Sequence, residues 1–318
     1  MKCVYIPRDV PECGKQYLRE KGYELRIGNK YDEETMVREI AGADAILART
    51  APFTRRVIEA GGERLKVIAR FGVGYESIDV DAATENGVYV TIAKNANMRA
   101  VAEHTFALML ALCKGVLPKF EACKSGDWEI RNRQVNTELF HKTIGIIGLG
   151  NIGREVASIA ANGFGMKVLA HDEYVPAQLV ADYVEMVSLE ELLANSDIVT
   201  VHVPVTPETK NLINADTLAK MKPSALLINV DRGSIVNEDD LYEALTNGVI
   251  AGCGADTFVQ EPVSPDNKLL HLPNFIASPH CGGLTHEASD LMCMLAAESI
   301  DDVLCGRSPK YPVNTPQL

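Results

Sequence analysis

Thr143-Ile144-Gly145-Ile146-Ile147-Gly148-Leu149-Gly150-Asn151-Ile152-Gly153 is the stretch on which the fold reading turns. A β-prone apolar run enters a GxGxxG string, and a helix-periodic run from Ile152 to Ala161 leaves it. Three glycines at this spacing arise by chance in about one chain in eight at this glycine content, so the string gains weight only from its surroundings. The next strand-like run, Lys167 to Ala170, is followed by Asp172, 19 residues beyond Gly153. In a strand-turn-helix unit of this kind the glycines serve a tight turn, close approach of a pyrophosphate and helix–strand packing, while the helix N-terminus faces the phosphates. Gly148, Gly150, Asn151, Ile152 and Gly153 are therefore candidate contacts to a dinucleotide. Asp172 can accept both hydroxyls of an adenosine ribose, and with Glu173 beside it would repel a 2′-phosphate, which selects NAD over NADP.

Outward from this unit the same alternation repeats. Lys2 to Ile6, Glu24 to Ile27, Asp44 to Ala48, Lys66 to Ala69 and Val88 to Val90 read as strands, with helices after Val10, from Asp32 to Ile40 and from Thr54 to Glu59. A longer apolar helical pattern runs from Arg99 to Cys123. Ile198 to Val201, Ala225 to Asn229 and Ile250 to Cys253 read as further strands, separated by helices from Leu189, Ala215 and Glu238. A last helix spans Thr285 to Leu304 and returns to the first domain. This is α/β architecture: two doubly wound parallel sheets, Rossmann or flavodoxin-like.

At 318 residues the chain is long enough for two domains. Its 31 basic and 43 acidic residues give a net charge of −12 with no basic run, which argues against nucleic-acid binding. The N-terminus offers only a short apolar run before Pro7, so no export is expected. Phe106 to Cys113, bracketed by His104 and Lys114, is too short to cross a bilayer and reads as a buried helix, so no membrane partner is expected. The eight cysteines show no CxxC and no zinc-site spacing, so the expectation is reduced thiols in a cytoplasm and no metal.

GxxxxGK[ST], HExxH and GxSxG are all missing from the sequence, which leaves hydride transfer as the chemistry a nicotinamide cofactor implies. Such a reaction needs a group to move the substrate proton and a cation to orient the substrate. Arg232 follows the buried run Ala225 to Asn229, at the end of a strand where α/β sheets meet ligand, although a surface salt bridge would place an arginine there too. Glu261, before Pro262, and His280, in Ser278-Pro279-His280-Cys281-Gly282-Gly283, are the other candidates. Either residue read alone also suits a solvated loop.

Together these strings resemble the D-isomer-specific 2-hydroxyacid dehydrogenases. The resemblance runs through Arg70-Phe71-Gly72-Val73-Gly74-Tyr75, Ala100-Val101-Ala102-Glu103-His104, the glycine fingerprint with Asp172, Val201-His202-Val203-Pro204 with Thr209, Asn229 to Gly233, Asp256 to Pro262 and Ser278 to Gly283. It implies a substrate domain of residues 1–98 and 287–318 flanking an inserted cofactor domain of residues 99–286, with the active site in the cleft between them. His280 would be the general acid/base and Glu261 would hold and charge its imidazole. Arg232 would bind the substrate carboxylate, with the backbone amides of Val73 and Gly74 on its other oxygen. His202, Pro204, Thr209, Val230, Asp256 and Gly282 would complete the NAD contacts. Formate dehydrogenases resemble this chain but carry Gln where Glu261 stands, so a small anionic 2-hydroxy or 2-keto acid is the implied substrate.

Arg49 and Arg70 align with arginines that contact phosphate in the phosphoglycerate-oxidising members, and Arg131 lies in a segment that would supply another across a homodimer. The resemblance thus implies oxidation of D-3-phosphoglycerate to 3-phosphohydroxypyruvate. Reduction of hydroxypyruvate, glyoxylate or pyruvate is the alternative, and an NAD(H)-sensing corepressor-like binding protein a more remote one. The chain ends at Leu318 after the returning helix, so feedback through an appended serine-sensing domain is not expected. Two departures from the family pattern stand out: Asp231, an acid beside Arg232, and Lys94-Asn95 in place of Pro-Gly at the hinge. Cys281, next to His280, points to inactivation by oxidation.

Overall fold

Five short apolar runs near the N-terminus pair as parallel strands: β1 (Cys3–Ile6), β2 (Glu24–Ile27), β3 (Ala45–Ala48), β4 (Val67–Arg70) and β5 (Tyr89–Ile92), in the order β2-β1-β3-β4-β5. The computed structural model that shows this describes residues 1–316; Gln317 and Leu318, assigned from sequence to the first domain, lie outside them. The chain divides into one compact unit of Met1–Asn97 with the segment from Leu284 onward, and a second of Met98–Gly283.

In the first unit the strands are joined by α1 (Glu12–Glu20), α2 (Glu33–Glu39), α3 (Arg55–Ala60) and α4 (Val80–Glu85). Side chains of Asp32, Thr54 and Asp79 accept the amides of Thr35, Val57 and Ala82, which starts α2, α3 and α4 where an orphan N–H needs a partner. The strand order is that of flavodoxin-like sheets and reverses between β1 and β3. Asn95 adopts φ +69°, and asparagine is the non-glycine residue that tolerates this region best, so the departure from Pro-Gly keeps a left-handed turn.

The second unit opens with α5 (Met98–Lys114), α6 (Val116–Ser125) and α7 (Ile130–Arg133). The single long helix expected from Arg99 to Cys123 is broken: Gly115 takes φ +56° and the two helices bend by 53°. Among the described residues no single helix is long and apolar enough to cross a membrane. Then follow β6 (Thr143–Ile147), α8 (Asn151–Phe164), β7 (Lys167–His171), β8 (Val184–Met186), α9 (Leu189–Asn195), β9 (Ile198–Val201), α10 (Ala215–Leu218), β10 (Leu226–Asn229), α11 (Glu238–Thr246), β11 (Gly252–Ala255) and β12 (Phe275–Ala277). The parallel order β12-β11-β10-β9-β6-β7-β8 is the Rossmann arrangement, and it reverses between β6 and β9. α12 (His286–Leu304), started by Thr285 accepting from Ala288 N–H, packs on α1, β3 and β4 of the first unit.

The strand expected at Ile250 to Cys253 lies two residues later. Glycine at 252 and 254 weakens a strand's intrinsic preference, but a Cβ at Gly254 would come within 3.1 Å of Leu108 and 3.2 Å of Ile228, so these glycines let α5 lie directly on the sheet. Leu108, Met109 and Phe106 of α5 are buried there, with Phe106 stacked on Phe164 at 5.0 Å. The apolar face of this helix is therefore core of its own unit. Gly233 is tighter still, since a Cβ would lie 2.0 Å from the backbone carbon of Phe258. Gly233→Ala should lower the denaturant midpoint by an amount equivalent to about 1–3 kcal/mol or more. Gly163→Ala, whose Cβ meets nothing nearer than 3.9 Å inside α8, should raise it by about 0.5–1 kcal/mol.

Candidate active site

The glycines of the fingerprint are required for different reasons. Gly148 sits at φ +92°, where its Cβ would fall 2.2 Å from the carbonyl oxygen of His202, and a Cβ at Gly153 would fall 2.1 Å from the carbonyl oxygen of Gly148. A Cβ at Gly150 would meet nothing within 4 Å. The turn is thus closed against protein at two glycines and open at the third, directly before α8, whose N-terminus has no side-chain cap. Open backbone at a helix N-terminus next to the strand-order reversal fits a pyrophosphate.

Asp172 follows β7, and its carboxylate is aimed by three amides: Leu149 N–H donates to Oδ2 at 2.7 Å, and Tyr174 and Val175 N–H donate to Oδ1 at 2.8 and 2.9 Å. The acid is therefore held rigidly against the glycine turn. His202, just past β9, is buried; its Nε2 pairs with Thr200 Oγ1 at 2.9 Å, and among the described residues its Nδ1 has no partner. Burial pushes its pKa down to about 3, so the ring is neutral at pH 7. Thr209 Oγ1 donates to the carbonyl of Pro204 at 2.6 Å and rounds off the loop after it. Val230 is buried beyond β10, and Asn151 Oδ1 accepts from Arg154 at 2.7 Å. Ile152 lies in the first turn of α8.

Three elements converge near His280. Asn229, the last residue of β10, donates to the carbonyl of Arg232 at 2.9 Å and so shapes the turn that presents the guanidinium. Arg232 Nη1 bonds the carbonyl of Asp231 at 2.8 Å and reaches its carboxylate at 3.4 Å. The acidic departure thus faces the arginine. Glu261 Oε1 accepts from Phe258 N–H at 3.0 Å, leaving Oε2 to accept from His280 Nδ1 at 2.7 Å. With Nδ1 committed to a carboxylate, Nε2 is the ring atom turned to other work, on a side chain that is 48% exposed.

His280 stands at φ +51°, a left-handed conformation that a non-glycine residue holds only when its surroundings impose it. The imposing group is Asp256, just past β11 and buried. Its carbonyl accepts His280 N–H at 2.8 Å, Oδ1 accepts Cys281 N–H at 2.9 Å and the Ser278 hydroxyl at 2.5 Å, and Oδ2 accepts Gly282 N–H at 2.8 Å. Ser278 in turn lies 2.7 Å from His104 Nε2 on α5. Since the serine donates its proton to Asp256, it accepts one from His104. Burial alone would raise the Asp256 pKa, but the bonds from His104, Ser278, Cys281 and Gly282 outweigh it and hold the carboxyl at about 2. His104 and Ser278 belong to strings that carry the family resemblance, yet spacing alone gave no reason to couple residues 174 positions apart. Burial and the Asp256 charge both raise the Cys281 thiol, which leaves little thiolate at neutral pH and makes it a slow target for peroxide.

In the first unit, Arg49 follows β3, donates to the carbonyl of Asp9 at 3.1 Å and lies over Phe71 at 5.4 Å. Burial and the like charge of Arg8, which follows β1, both pull its pKa down. Two guanidinium groups therefore gather beside the reversal of the first sheet. Arg70 bonds backbone: Nε donates to Gly74 at 2.8 Å and Nη1 to Phe71 at 2.5 Å, so it props the loop carrying Val73 and Gly74. Among the described residues no partner meets the amides of those two residues. Arg131 is exposed on α7 of the second unit, stacked over Trp128 at 5.9 Å.

The Rossmann order and the glycine turn define a dinucleotide-binding α/β protein. Residues 106–282 match the NAD binding domain of the D-isomer specific 2-hydroxyacid dehydrogenases, and the chain belongs to that family. It is 38% identical to the D-3-phosphoglycerate dehydrogenase of Synechocystis sp. across 100% of its own length and 57% of that relative. It is 34% identical to the glyoxylate reductase of Korarchaeum cryptofilum, covering 98% of this chain and 95% of that one. The crystal structure of the TT0316 protein from Thermus thermophilus superposes with a TM-score of 0.91 at 33% identity, over 98% of this chain and 100% of that one.

Asp256 supplies a pH test. Its folded pKa of about 2 lies below the unfolded value, so its contribution is present above about pH 4 and is lost as the pH falls toward 2. Asp256→Asn should cost about 2 kcal/mol at neutral pH in urea unfolding. The gap between the two proteins should close between about pH 4 and 2; a gap independent of pH would refute the assignment.

Proposed function

We propose that the protein catalyses NAD-dependent oxidation of D-3-phosphoglycerate to 3-phosphohydroxypyruvate. The observation that carries the dehydrogenase reading is the His280–Glu261 pair, whose Nδ1 to Oε2 contact of 2.7 Å leaves Nε2 available for proton transfer. His280 Nε2 takes the C2 hydroxyl proton in oxidation and returns it in reduction, and the positive charge formed on the ring lies against the Glu261 carboxylate. Arg232 binds the substrate carboxylate through its planar fork, and the amides of Val73 and Gly74 serve its other oxygen. Bound NAD supplies the hydride acceptor. Gly148, Gly150, Gly153 and the first turn of α8 would hold its pyrophosphate, Asp172 its ribose, and His202, Pro204, Thr209, Val230, Asp256 and Gly282 the remainder.

Identity to the Synechocystis enzyme across the whole chain supports the phosphorylated substrate, and Arg49 with Arg8 provides the charge a phosphate calls for. Arg70 serves that site by holding the loop. The glyoxylate reductase relative, nearly equal in length to this chain, favours a second reading in which a small 2-keto acid is reduced. Val116, Leu117, Phe120 and Trp128, all at least half exposed on and beside α6 and α7, support self-association as a homodimer, with Arg131 next to them. Sedimentation of the purified chain at micromolar concentration tests this, a monomer counting against it.

Initial rates with D-3-phosphoglycerate and NAD, set beside NADH oxidation by hydroxypyruvate, glyoxylate and pyruvate, decide the substrate. The phosphorylated acid should be preferred, with Arg49→Ala raising its KM at least tenfold while sparing the small keto acids; the opposite preference establishes the second reading. His280→Gln should lower kcat by about 10²-fold or more with either substrate while NADH still binds.

A further inference from the structure

The group that fastens the His280 turn is also a donor set. His104 comes from α5, Asp256 from the end of β11 and Cys281 from the loop after β12, and one ligand atom of each lies within 4.8 Å of the others. His104 Nε2 and Asp256 Oδ1 are 3.5 Å apart. Neighbouring donors in a tetrahedral zinc site, with bonds of about 2.0–2.3 Å, sit about 3.3–3.7 Å apart. The imidazole and carboxylate are therefore already at the right separation, and the thiol, within 4.8 Å of both, has at most about 1 Å to close.

Asp256 Oδ1, the oxygen that faces His104, accepts Cys281 N–H and the Ser278 hydroxyl, so a cation there takes the place of the serine proton. Ser278 Oγ lies 2.7 Å from His104 Nε2 and 2.5 Å from Asp256 Oδ1, closer than two ligands of one cation stand, so the hydroxyl swings aside on binding and solvent fills the fourth position. Asp256 is buried whereas His104 and Cys281 are partly exposed, so the charged donor stands at the back and the neutral ones at the entrance. Imidazole, carboxylate and thiol together suit borderline-soft cations and not magnesium or calcium.

We propose that His104, Asp256 and Cys281 form a binding site for a zinc-class divalent cation, one residue from His280. On binding, the thiol proton leaves to solvent and the imidazole proton moves from Nε2 to Nδ1, freeing both donor atoms for the metal. The Ser278 hydroxyl gives up its bonds to His104 and Asp256. Occupancy draws on the carboxylate that holds the His280 turn, so the site is inhibitory in character.

Cobalt(II) titrated into the reduced, metal-free full-length protein tests this without reference to activity. Wild type should take up one equivalent with a thiolate-to-cobalt charge-transfer band and tetrahedral d–d absorption, both removed by Zn²⁺ through displacement. Cys281→Ser should lose the charge-transfer band, and His104→Gln should bind at least tenfold more weakly, with circular dichroism showing both folded. Persistence of the band in Cys281→Ser assigns the thiolate to another cysteine and overturns the proposal, as does its absence from folded wild type.

Discussion

The buried carboxylate of Asp256 is the interaction on which the site rests. Just past the end of β11, it receives the amides of Cys281 and Gly282 and takes the Ser278 hydroxyl, while the residue's own carbonyl accepts His280 N–H. A charge removed from water is tolerable only when its lone pairs are met. Here the donors that meet them lie on the segment that must be shaped. Those bonds hold His280 in a left-handed conformation it would not choose, and that conformation brings Nδ1 to Glu261.

Close backbone approach is the companion constraint. Gly148 lies against His202, Gly153 against Gly148, and Gly233 against Phe258, each at a distance no Cβ could share. These contacts draw together the ends of β6, β9, β10 and β11, so that the loops beyond them are spaced by backbone and not by flexible side chains. Gly150 differs, since its side-chain direction is open. The small residues at 252 and 254 seat α5 on the sheet in the same way and thereby deliver His104 to Ser278.

Three arginines singled out by the family resemblance part company in the structure. Arg49 lies over Phe71 with the like charge of Arg8 and the opposite charge of Asp9 acting on it. Arg70 commits Nε and Nη1 to carbonyls of its own loop. Arg131 stacks on Trp128 in solvent. A guanidinium's five donors can build a loop as readily as hold a ligand, and sequence does not distinguish the two uses.

The α/β class and the strand-turn-helix around Gly148 to Gly153 were legible in the order of residues alone, because periodicity and glycine spacing are local; Arg232, Glu261 and His280 stood out there only as candidates at a strand end and in loops. Most strands were likewise legible to within two residues of where they lie. β8 and β12, three-residue edge strands, are too short to show a period. The pattern also reads as one helix through Gly115, where a left-handed residue breaks it. That His104, Asp256, Ser278 and Cys281 meet, that Asp231 faces Arg232, and that Arg70 supports a loop emerge only once the chain is folded. Those facts depend on which strand ends the parallel sheet sets side by side and on how closely glycines let helices approach it, and neither is written in any local run of residues.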